Sequence, residues 1–154
     1  MPVFHIVLYQ PEIPPNTGNV GRLCVAVGAA LHLVHPLGFS TSDKAVRRAG
    51  LDYWRHVDLA EHPDGDAFWA WAEGRRVHLF SARTERTHVD CDYAEGDVLV
   101  FGCEPRGLPA DVLARHPAYR VPMMPGPIRS LNLGNVVSVV TYEGLRHVRP
   151  SWFV

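Results

Sequence analysis

Three short stretches of the 154-residue chain gather the residue types that can do chemistry. The first is Asn16-Thr17-Gly18-Asn19-Val20-Gly21-Arg22. It places amides, a hydroxyl and two glycines where a helix opens, an arrangement suited to cradling an anion with backbone N–H groups. Its spacing matches neither the G-x-x-x-x-G-K-[ST] phosphate loop nor the G-x-G-x-x-G dinucleotide signature. An ordinary capped helix, with Gly18 and Gly21 making room for a neighbour, accounts for the same residues. Arg22 is the exception: it precedes the apolar run Leu23-Cys24-Val25-Ala26-Val27 and needs solvent or a partner.

The second stretch is Phe101-Gly102-Cys103-Glu104-Pro105-Arg106-Gly107-Leu108-Pro109. A buried strand here runs into a loop, and α/β proteins place function at the carboxyl ends of strands. Glu104 and Arg106 can serve a ligand, or can pair with each other for at most about 1 kcal/mol. The third stretch runs from Met123 through Pro125-Gly126-Pro127 and Arg129-Ser130-Leu131-Asn132 to Asn135. Ser130 is expected to cap the last helix, with Asn132 and Asn135 on one of its faces. Asparagine is a poor helix former, so the pair points to hydrogen bonding, either with a ligand or as local capping.

Other chemistries leave no trace. No Ser/His/Asp arrangement, paired carboxylate site or metal-ligand cluster is legible, and no metal is expected. Cys24, Cys91 and Cys103 are odd in number and lack a C-x-x-C, which argues against a disulfide framework or a zinc site. Cys24 and Cys103 are expected to pack in the core, since a nucleophile needs a base beside it. His32 and His35 flank a short apolar run and read as structural. Fifteen basic against sixteen acidic residues give a net charge of -1, which excludes a generally basic nucleic-acid coat protein but not a local patch. Lys44, Arg47 and Arg48 would form such a patch on one helix face, joined by Arg83, Arg86 and Arg129. The opening residues have no basic n-region and no apolar run approaches the ~18 residues of a membrane span, so a cytoplasmic location without a membrane partner is expected.

The elements that must position these stretches alternate. Apolar runs at 3–9, 31–34, 57–60, 77–82, 97–102 and 119–123 read as strands. Helices are expected from Asn16 or Thr17 to Gly28, then over 42–50, 63–73, 109–115 and 131–147, with a polar loop at 83–96. Continuous apolar strands separated by helices indicate an α/β fold with a largely parallel sheet flanked by helices, in one domain over 1–154.

In this order and at these separations the stretches resemble the motifs of the SPOUT class of RNA methyltransferases. The similarity covers about residues 4–147 and includes IVLYQPEIPPNTGNVGRLC, RRAGLDYW, LVFGCEPRGLP and IRSLNLGNVVSVVTYEGLR. It is strongest to the small bacterial tRNA 2'-O-methyltransferases. The resemblance implies a C-terminal deep trefoil knot, which the periodicity does not show, and a homodimer. It implies S-adenosylmethionine as cofactor and a tRNA substrate. The implied reaction is 2'-O-methylation of the wobble nucleotide, a cytidine or modified uridine at position 34 of leucine tRNA. Alternatives are another tRNA or rRNA site, or a non-catalytic module binding tRNA or an adenine nucleotide.

By that resemblance Ala82, Gly102, Val121, Met123, Ser130 and Leu131 would contact the cofactor. Arg22 would be the catalytic residue. Asn19, Lys44, Arg47, Arg48, Glu104, Arg106, Arg129, Asn132, Asn135 and Tyr142 would face the RNA or support the site, with Tyr142 orienting the last helix in the dimer. The chain departs from the usual pattern at Cys103, Pro105 and Gly134. Gly102 is expected to be small so that the cofactor can approach it.

Overall fold

The structure, a computed structural model, describes residues 1–42, 44, 48 and 51–154. Among them six strands form one sheet: β1 His5–Tyr9, β2 Ala30–Val34, β3 Asp58–His62, β4 Val77–Phe80, β5 Val98–Phe101 and β6 Ala118–Tyr119. Their order is β3-β2-β1-β5-β4-β6, and every pairing is parallel. The helices are α1 Pro14–Val27, α2 Gly65–Ala72, α3 Ala110–Leu113 and α4 Leu133–Val148. Short 3-10 turns occupy Leu51–His56, His88–Asp90 and Pro150–Phe153. The helix expected over 42–50 lies mostly outside the described residues.

Strand side chains alternate between two buried layers, as the two-residue period of a strand requires. Phe4, Ile6, Leu8, Leu33 and Phe101 pack beneath α1 and α4 with Val20, Cys24, Val137 and Val140. Val7, Tyr9, Leu79 and Val100 pack on the other face with Phe68 of α2 and Val112 of α3. Both faces of the central strands are covered, which is why they read as unbroken apolar runs.

The helix ends correct two expectations. Neither Asn16 nor Thr17 caps α1; the helix opens one turn earlier, on Pro14 and Pro15, whose fixed φ suits its first positions. Gly28 closes it in the left-handed conformation at φ 76°, as expected. The last helix starts at Leu133, and its cap is the Asn132 side chain, accepting from the Asn135 N–H at 3.2 Å, not Ser130. Asn132 therefore stands outside the helix and does not share a face with Asn135. The last strand is also shorter than 119–123, ending at Tyr119 before Pro122.

Candidate active site

The register aligns the carboxyl ends of three strands. Phe101 lies beside Phe80, and Phe80 beside Tyr119. Their rings form a continuous floor, with Phe80 and Phe101 stacked at 5.0 Å and Tyr119 tilted against Phe80 at 6.0 Å. Over this floor opens a cleft of about 690 Å³. Its walls are the turn after β4 (Ser81, Ala82, Arg83), the loop after β5 (residues 102–107), Val121 and Met123 after β6, the entry to α4 and the start of α1.

The loop after β5 is folded back on itself. Gly107, at φ +67°, donates its N–H to the Cys103 carbonyl at 2.9 Å. This turn brings Gly107 and Leu108 against Gly102. A Cβ on Gly102 would stand 2.2 Å from the Gly107 carbonyl carbon and 2.4 Å from the Leu108 nitrogen. Gly102 must be small because its own loop returns over it. The Cys103 thiol lies 3.8 Å from the Gly107 carbonyl oxygen and helps close the same turn.

Glu104 and Arg106 do not pair with each other. The Glu104 carboxylate accepts the backbone N–H groups of Glu12 at 2.9 Å and Ile13 at 3.3 Å, and lies 3.5 Å from the Asn16 amide nitrogen. It therefore caps α1, where no side chain of α1 itself does so. Arg106 reaches Glu12 at 2.8 Å. Hydrogen bonds to Cys103 and to Glu12 raise its guanidinium above its ordinary value.

Asn16, 7% exposed, joins the segments. Its amide faces Glu104, and its carbonyl accepts from the Asn132 amide at 3.0 Å. Asn132 in turn holds the first turn of α4. Three stretches more than a hundred residues apart at their extremes are thereby fastened around one cleft. Sequence reading took Asn16 as a helix cap or part of an anion cradle, not as a link between segments; two prolines before it were the one sign that the helix starts earlier.

Ala82, Gly102, Val121, Met123, Ser130 and Leu131 all line the cleft, as do Glu104, Arg106, Arg129 and Asn132. Arg22, Asn19, Asn135, Tyr142, Lys44 and Arg48 lie outside that lining and are exposed. Arg47 is outside the described residues. Arg22 rests over the Tyr53 ring, 5.3 Å from its centroid. A Cβ on Gly134 would meet the Asn132 side-chain Oδ1 at 3.2 Å and the Asn19 Cβ at 3.8 Å, both side-chain atoms, so the glycine there answers no backbone demand. Burial raises the Tyr119 phenol above its ordinary value, and Arg86 over its ring opposes the shift. All three cysteines are buried. Among the described residues no group of three or more His, Cys, Asp or Glu side chains is placed to hold a metal ion, and no helix is long and apolar enough to cross a membrane.

A parallel α/β sheet with a ligand-sized cleft across its carboxyl edge defines the class of protein. The SpoU rRNA Methylase family matches residues 3–142, and the chain belongs to that family. A Methylovorus glucosotrophus protein named tRNA (cytidine(34)-2'-O)-methyltransferase is 49% identical over 147 residues, covering 94% of this chain and 95% of the relative. The Escherichia coli K12 protein of the same name is 46% identical over 149 residues, covering 95% and 94%. A solved structure described as giving insights into the 2-OH methylation of C/U34 on tRNA superposes with a TM-score of 0.88 at 53% identity, covering 93% of this chain and 94% of the other.

Proposed function

We propose that the protein is an S-adenosylmethionine-dependent methyltransferase acting on the ribose 2'-hydroxyl of nucleotide 34 of tRNA. The target is a cytidine or modified uridine of leucine-accepting tRNA, and the working form is a cytoplasmic homodimer. The observation that carries this reading is the cleft itself: three separate motifs of a SpoU family chain converge on it. The residues suit the cofactor chemically. The aromatic and aliphatic walls offer a purine an apolar slot, and backbone groups around Gly102 and Val121 can read an adenine edge. The cleft volume falls within the ~300–1,000 Å³ range of small-molecule sites.

When bound, S-adenosylmethionine supplies a methyl group already activated by its sulfonium charge. The chain must align the acceptor hydroxyl with that methyl. Arg22 is the residue assigned to this task. A guanidinium is not normally deprotonated in a protein, so its role is to hold the neighbouring phosphate and stabilise developing alkoxide charge. Along α1, position 22 lies about 9 Å beyond Asn16 and about 120° around the axis. Arg22 therefore serves the cleft of a second copy on this reading. Val139, 42% exposed, and Tyr142, 46% exposed, supply the apolar surface for that copy. Val140 belongs to the chain's own core and is not part of this surface. Asn19 and Asn135 hold the nucleotide, and Lys44, Arg47, Arg48 and Arg129 attract the tRNA backbone.

The reading also includes a C-terminal knot. Support comes from the family match over residues 3–142; next to β6, the Arg86 carbonyl accepts from the Arg120 N–H and the His88 N–H donates to the Arg120 carbonyl, both at 2.8 Å. These bonds clasp the chain as it leaves β6.

Calorimetry should detect S-adenosylmethionine binding at one per chain, and tritiated cofactor should label tRNA. Arg22→Ala should lower kcat by ~10² or more with cofactor affinity unchanged. No heat and no thermal shift at millimolar cofactor would remove the methyltransferase reading.

A further inference from the structure

Arg22 is the one charged residue of α1. Among the described residues its guanidinium has no ion pair or side-chain hydrogen bond, and its contact is the Tyr53 ring, 5.3 Å from the centroid. A long exposed arginine otherwise samples many rotamers, and each must be suppressed when a charge is to be delivered to one point. The ring face supplies the restraint, since its negative quadrupole attracts the cation without consuming any of its five N–H donors. Those donors stay available for phosphate.

Tyr53 is itself held in place. It belongs to the turn Leu51–His56, and the next residue, Trp54, packs its six-membered ring against α1 at Gly21. A Cβ on Gly21 would stand 2.7 Å from Trp54 Cζ3 and 3.3 Å from Val57 Cγ2. Only glycine admits the indole there, and its seat is adjacent in sequence to Arg22. Trp54 packs against the core beneath α1, while Tyr53 remains 42% exposed. The turn therefore carries one aromatic inward as an anchor and one outward as a rest for the arginine.

We infer that Tyr53 is a positioning residue for Arg22: its ring, fixed by the Trp54–Gly21 contact, holds the guanidinium in the orientation used on the RNA. The inference rests on the assignment of Arg22 made above. Tyr53→Phe keeps the ring, and Tyr53→Leu removes it.

The test uses the full-length protein, tritiated S-adenosylmethionine, and total tRNA from cells lacking the gene. Tyr53→Phe should retain kcat within about twofold, and Tyr53→Leu should lose roughly fivefold to tenfold in kcat. KM for tRNA and cofactor affinity should both stay within about twofold. In an Arg22→Ala background, where a residual single-turnover rate is measured, Tyr53→Leu should cause no further loss, because nothing remains to position. Four results would overturn the inference: unchanged kcat in Tyr53→Leu, equal losses in Phe and Leu, a rise in KM alone, or an undiminished Leu effect without Arg22. A normal turnover in Arg22→Ala would instead remove the assignment on which it rests. Thermal unfolding of Tyr53→Leu within a few degrees of the parent separates positioning from loss of fold.

Discussion

Replacing Gly102 by alanine adds a single carbon, and the structure specifies where it lands. The new Cβ would lie 2.2 Å from the Gly107 carbonyl carbon, 2.4 Å from the Leu108 nitrogen and 2.7 Å from the Gly107 Cα. Ordinary carbon contacts begin at about 3.5 Å. The returning arm of the loop must therefore withdraw by more than about 1 Å, and all three obstructing atoms are backbone. That withdrawal strains or breaks the Gly107–Cys103 hydrogen bond. Overpacking costs about 1–3 kcal/mol and the lost bond about 1 kcal/mol. For a domain of this size the sum corresponds to a fall in melting temperature of roughly 5–15 °C. Differential scanning calorimetry measures this, and titration with S-adenosylmethionine should show affinity lost as well, because the displaced loop is a wall of the cleft. Gly107→Ala, where φ is +67° but no atom obstructs a Cβ, should cost only ~1–2 kcal/mol. A Gly102→Ala protein that melts with the parent refutes the loop argument. If it melts normally yet no longer binds cofactor, the methyl group enters ligand space and not the loop.

Three further outcomes follow from the same contacts. Glu104→Ala removes the acceptor for the Glu12 and Ile13 amides and should cost about 1–2 kcal/mol in thermal unfolding, with Glu104→Gln losing less. His5, His32 and His62 are linked by imidazole contacts of 2.9 Å beneath Trp71, and burial lowers all three. His32 is brought down to about 3 by desolvation, then by His5, His62 and Arg75; Asp58 opposes the shift only at His5. The unfolded chain then binds protons first, so stability should be full above pH 6.5 and fall between there and about pH 3. Chemical denaturation across that range should show the decline, and His32→Leu should flatten it. Val139→Asp should yield folded monomers by sedimentation, whereas Val140→Asp, placing a carboxylate in the core, should unfold the chain.

What the sequence revealed follows the range of the interactions. Strands showed because both faces of β1, β2 and β5 are buried, leaving apolar runs with no alternation to mislead. Gly28 announced the end of α1 because a left-handed cap is a local requirement. The start of α1 was misjudged because its cap, Glu104, arrives from a loop far along the chain. Ser130 was preferred to Asn132 for a similar reason: Asn132 is held by Asn16, across a separation that propensity does not see. The cleft-lining residues were reachable through family resemblance, which encodes such long-range contacts. Local chemistry alone left Ala82 and Val121 without any mark. The Tyr53 rest for Arg22 and the three-histidine contact across β1, β2 and β3 depend on tertiary register and had no local signal.

The most direct measurement is a map of ribose 2'-O-methylation across all cellular RNA, with the gene present, deleted, and restored as wild type or Arg22→Ala. The account predicts that methylation at nucleotide 34 of leucine tRNA disappears on deletion, returns with the wild-type gene and stays absent with Arg22→Ala. An unchanged nucleotide 34, or a loss confined to ribosomal RNA, would contradict it.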